Sequence, residues 1–185
     1  DATALCLSVS DEAYYNKAVA YKNLLDVKNV IKSFQEVVRR GRLNDEMVIH
    51  ARKFLDDMEK SIRKDHNVDL AGYMLGHDIF DQAFSRMENK EWQAAMNGFK
   101  KCLEVNKRHQ QSYGNIGICL AMLGKKEEAL KALNMALAID PAYLPAINNR
   151  ILVEGLKEGE KLKEEKFASI DFSREKFLME KIKVK

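Results

Sequence analysis

Apolar residues recur along most of this chain at intervals of three and four, which places them on one face of a helix. Val27, Val30, Ile31, Phe34, Val37 and Val38 form one such stripe. Ser10-Asp11-Glu12 reads as a helix start for a segment that carries Ala18, Tyr21, Leu24 and Leu25 on one side. Gly41 ends this stretch, and the pattern does not say whether the chain breaks near Asp26–Lys28. Asn44-Asp45-Glu46 is a second start, followed on one face by Val48, Ala51, Leu55, Met58 and Ile62.

Self-comparison shows a repeat further on. Laid over 76–109, the segment 110–143 puts Ala129 on Ala95, Leu133 on Phe99, Ala136 on Cys102 and Ile139 on Val105. Gly117 falls on Ala83. Small residues at Gly117, Ala129 and Ala136 let two helices approach, and Tyr113, Leu120 and Leu133 fill the space between them. Gly124 suits the positive φ of a turn, and Asp140-Pro141 reads as an N-cap followed by N1 of the next helix.

With Tyr113, Ile116-Gly117, Leu120, Gly124, Ala129, Ala136 and Pro141, the segment 110–143 resembles the tetratricopeptide repeat, a helical hairpin of about 34 residues. Residues 76–109 resemble it more loosely, through Ala83, Trp92, Ala95, Phe99 and Cys102, with Lys107 where the family has Pro. A third unit starts from 144 and is partial over 144–156. Its second helix should carry small residues where Lys163 and Ile170 stand. No repeat signature is evident before residue 76.

The resemblance implies an all-α fold. The expectation is a right-handed α-solenoid of such hairpins, with additional N-terminal helices and a C-terminal capping helix. Residues 1–75 would pack on the repeats of 76–185. The last segment, Phe167–Lys185, carries Ile170, Phe172, Phe177, Leu178 and Ile182 among charges. It reads as a cap on the last repeat or as a segment lying in a groove.

The resemblance also implies a function, a non-catalytic protein-interaction scaffold that holds a peptide segment in its concave groove. Family positions place Phe80, Phe84 and Met87 in that groove from the first repeat. Asn115, Ile118 and Met122 follow from the second, with Gln111 beside them, and Asn148, Asn149 and Leu152 from the third. Asn115 and Asn149 stand where the family's Asn bonds a ligand backbone, and a carboxamide offers both donors and an acceptor for that task. A subset of the family clamps a C-terminal carboxylate with Lys and Asn from its first repeat and Lys and Arg from its third. Phe80, Phe84, Pro145 and Asn149 stand at those positions and only Asn115 fits, so an apolar or amphipathic segment is the expected ligand. The alternatives are self-association, as a homodimer or with the C-terminal segment filling the groove, and nucleic-acid binding.

Composition narrows these choices. Only 2 Pro and 9 Gly occur in 185 residues, too few for the turns of a sandwich or barrel. Net charge is +3, which gives no electrostatic footprint for nucleic acid. The basic run Arg39-Arg40-Gly41-Arg42 falls at a helix end, where cations meet the helix dipole. Cys6, Cys102 and Cys119 make neither a disulfide framework nor a zinc pattern, which points to a reducing, cytoplasmic setting. The four histidines form no metal motif, and no phosphate loop or nucleophile elbow appears. The reading therefore expects no enzyme, no cofactor and no metal. No apolar run reaches the length of a membrane span. The opening residues lack a basic region and do not read as a signal peptide.

Overall fold

The computed structural model describes residues 2–24 and 26–163, with side chains from residue 12 onward. Among the described residues there are eight helices and no strand. The expected C-terminal cap lies outside the described residues. The chain divides into two units, one reaching to Lys64 and one starting at Asp65.

In the first unit α1 (Ala2–Asn23) pairs with α2 (Val27–Arg40), followed by α3 (Glu46–His66). The break the pattern left open falls at Asp26, whose carboxylate caps α2 by accepting from the Asn29 N–H at 3.1 Å. All the expected α2 stripe is buried except Val38, which is half-buried. On α3 the buried face is Val48, Ala51, Phe54, Met58 and Ile62. Phe54 replaces the expected Leu55 because its ring packs 4.7 Å from Phe34. Tyr15 closes this cluster: its hydroxyl lies 3.0 Å from Nδ1 of His50 and its ring 5.7 Å from Phe34. Leu24, expected inside, is exposed.

The second unit contains α4 (Leu70–Glu88), α5 (Trp92–Val105), α6 (Gln110–Met122), α7 (Lys126–Ile139) and α8 (Leu144–Glu154). It begins before the repeat register, because Asp69 caps α4 by accepting from the Gly72 N–H at 2.7 Å. The helices α4 and α5 form one hairpin and α6 and α7 a second. The first stacks on the second through α5 and α6, and α8 packs on α7 and α6. This is an all-α helical-repeat solenoid.

Close approach within the second hairpin depends on Gly117. A Cβ at that position would sit 2.7 Å from Cγ of Leu133 and 3.2 Å from the Ala129 carbonyl oxygen. Gly124 adopts φ 77° at the turn, as expected. Asp140 does not cap α8. It ends α7, and its carboxylate accepts from the Ala142 N–H at 3.0 Å. Pro141 thus lies in the turn, and Pro145 occupies the first turn of α8.

Helix α6 is capped by an imidazole. Nδ1 of His109 accepts from the Ser112 N–H at 3.3 Å and faces the Ser112 hydroxyl at 2.9 Å. That role needs an unprotonated Nδ1. Burial, then the nearby His77 and His66, pushes the His109 pKa down to about 3. The unfolded chain therefore binds a proton near pH 6.5 that the folded chain refuses. The contribution of His109 is complete above pH 6.5 and is lost as pH falls toward 3.

Two outcomes follow. Gly117→Val should lower stability by about 1–3 kcal/mol, the usual cost of overpacking a core, as measured by chemical denaturation. Thermal midpoints should fall on acidification from neutrality through the weakly acid range. His109→Asn, which keeps an N-cap acceptor without a titrating ring, should flatten that fall. A slope unchanged in this variant would remove His109 as its source.

Candidate functional site

The inner helices α4, α6 and α8 carry the nine expected groove residues. Phe80 is 5% exposed, with its ring 5.3 Å from Phe99 and 5.2 Å from His109. It thus ties α4 to the core of its own hairpin and to the cap of α6. Phe84 lies beside it at 6.1 Å, stacked and half-buried. Met87 is buried at the last turn of α4. On α6, Asn115, Ile118 and Met122 are all buried. On α8, Asn149 is buried, Leu152 is half-buried and Asn148 is exposed. Phe80 and Phe84 are therefore brought together, and Asn148 stands in solvent away from the buried Asn149.

Helix α6 is buried on almost every side, with only Gln110 and Tyr113 partly open. Such a helix should be apolar throughout, yet it contains Gln111, Ser112 and Asn115. Ser112 is satisfied by His109. Asn115 is not: it is 0% exposed, and neither its side-chain nitrogen nor its oxygen has a partner among the described residues. The Oε1 of Gln111 and the Nδ2 of Asn149 are in the same condition. Buried amides left unpaired cost about 1–3 kcal/mol each, so three on adjoining inner helices are unusual.

Other ionisable groups carry less. Burial pushes the Cys119 thiol up to about 12 and raises that of Cys102, which donates to the Gly76 carbonyl at 3.4 Å. Both thiols are small, neutral packing groups. Burial also raises Tyr143, whose ring packs against Gly114 of α6. Two arginines of the basic run pair within their own helix. Glu36 receives Arg39 at 2.6 Å and Arg40 at 2.9 Å, and Arg39 first, then Arg40, holds its carboxyl down at about 2. The Arg40 guanidinium also lies 4.8 Å over the Tyr14 ring. Among the described residues no cluster of three metal-ligating side chains exists, and no helix is long and apolar enough to cross a membrane.

The sequence reading missed the capping role of His109, and it missed a fastening of residues 156–163 onto the end of α6. The Leu162 N–H donates to the Ala121 carbonyl at 3.0 Å, and Leu162 is 4% exposed. No periodicity marks that stretch, so the pattern offered no signal.

A family model described as Tetratricopeptide repeat matches residues 111–143, and a second with the same description matches residues 11–40. No curated protein matches the chain. The first match covers the hairpin of α6 and α7. The second covers α2 and most of α1, where no repeat signature was evident. The signal was present: Ala18, Tyr21, Val30, Phe34 and Val37 keep the spacings of Gly117, Leu120, Ala129, Leu133 and Ala136. Valines at two positions that usually hold small residues concealed it. With helical hairpins in both units and a match to the repeat in each, this chain carries tetratricopeptide repeats.

Proposed function

We propose that the chain is a non-catalytic interaction scaffold that binds a peptide segment along the inner helices α4, α6 and α8. Tetratricopeptide repeats in general mediate protein–protein contacts. The observation that carries the finer reading is Asn115, a fully buried carboxamide without a partner, with Asn149 one repeat further on. An extended peptide has free N–H and C=O groups that match an amide on both counts. Ile118 and Met122, one and two turns beyond Asn115, would bury the ligand's apolar side chains, and the pliable Met122 suits an irregular partner. The buried thiols of Cys102 and Cys119 are free, which suits a reducing compartment such as the cytoplasm.

The unpaired amide separates this reading from a structural one. A residue kept for stability loses stability when truncated. A residue kept for a ligand loses little, because the desolvation penalty relieved by removing an unsatisfied buried amide offsets the cavity left behind. Asn115→Ala should therefore leave the thermal midpoint little changed, and abolish binding of peptides selected on the wild-type chain from a random-sequence display library. Loss of stability with binding retained would contradict the proposal. Phe84→Ala should weaken the same peptides with little loss of stability. Phe80→Ala is a poor probe, since truncating a ring packed on Phe99 costs about 3–5 kcal/mol of folding energy.

A further inference from the structure

The groove residues of α6 are buried in this structure, and a later segment of the chain lies against the end of that helix. After α8 ends at Glu154, residues 155–163 do not form the second helix of a third hairpin. They run back to the turn between α6 and α7. There the Gly159 carbonyl oxygen would stand only 2.7 Å from a Cβ on Gly124, so two glycine backbones touch. Both take positive φ, 77° at Gly124 and 76° at Gly159. The Lys126 ammonium donates to the Glu154 carbonyl at 2.9 Å and to that of Leu156. Leu162 then buries its side chain and bonds the Ala121 carbonyl.

We infer that residues 156–163 are a releasable strap that closes the Ala121–Met122 end of the groove and competes with the ligand for it. This rests on the peptide-binding reading above. Three features support it. The position fits: Asn115 lies about 9 Å along the helix from Ala121, at 1.5 Å per residue. A peptide that reached from Asn115 to Met122 would meet Leu162. The mode also fits, because past its turn at Glu158-Gly159 the strap docks with a backbone N–H bond and one buried leucine. An extended ligand with an apolar side chain would dock in the same way. Finally, the fastening is light. Apart from Leu162 and half-buried Leu156, every residue of the strap is exposed. Glu158 faces Glu127 on the first turn of α7. A hydrogen bond between the two carboxyls raises Glu158 and lowers Glu127, with Lys126 beside both and Lys131 beside Glu127. Once both carboxyls are ionised, that contact becomes repulsive.

A groove whose open form is only partly populated binds with an affinity reduced by that fraction. The test uses the full chain as wild type, Leu162→Asp, and Leu162→Asp with Lys126→Ala. Hydrogen exchange reads the Leu162 amide, and peptides selected from a random-sequence display library on Leu162→Asp serve as the binding probe. The expected result is a protected Leu162 amide in wild type that becomes free in the variants. The selected peptides should then bind the variants about tenfold more tightly than wild type. Free exchange of this amide in wild type, or protection that survives the double variant, would overturn the strap. If the released variants and wild type bind equally, and Asn115→Ala abolishes binding to all, the strap falls and the groove stands. If the released variants select no Asn115-dependent peptide, the groove reading fails and the strap's role fails with it.

Discussion

The structure turns on one constraint, the near-complete enclosure of α6. It lies between α5 and α7 and touches α8. Only a helix with small residues can be surrounded this closely, and Gly117 provides the room against Leu133, while the Tyr143 ring packs over Gly114. Enclosure also makes each polar atom on the helix consequential. Ser112 is resolved by a neutral histidine that doubles as the N-cap. Asn115 is left unresolved. The contrast a few residues apart on one helix separates a polar group that serves the fold from one that the fold alone does not explain.

Enclosure also relates the two unusual features of the second unit. Amides buried without partners are costly in a closed protein and useful in one that opens. The segment that follows α8 is the described element that lies on α6 without belonging to a helix. Its contacts are backbone bonds, a glycine pair, one lysine, one glutamate and one leucine, few beside the packing between the hairpins. In such an arrangement the repeats form the permanent structure and the connector is the adjustable part.

Much of this fold was legible in the sequence. The hairpin of α6 and α7 could be read from Gly117, Ala129 and Ala136, because small residues at those spacings serve few other purposes. The hairpin of α4 and α5 followed by register, although the start of α4 was set by Asp69 rather than by the repeat. The repeat in the first unit was concealed, since Val30 and Val37 fill with branched side chains the places where small residues usually identify the hairpin. Phe54 displaced Leu55 from the core of α3 because an aromatic neighbour, Phe34, lay across from it, and spacing along one helix cannot show what faces it. Asp140 was misread for a related reason: a capping residue and a turn residue look alike until the helix boundary is known. In the site, register found Asn115 and Asn149, but their burial and the unpaired state of the Asn115 amide and the Asn149 Nδ2 depend on packing between helices. The fastening of Leu162 depends on a chain path that no local pattern specifies.

The most direct measurement is nuclear magnetic resonance of the side-chain amides of Asn115 and Asn149, followed while a library-selected peptide is titrated into the full chain. The account predicts that both amide pairs shift in step with binding and that their exchange with solvent slows as they gain partners. Amide signals that stay fixed while the peptide saturates the protein would place the ligand elsewhere and contradict the account.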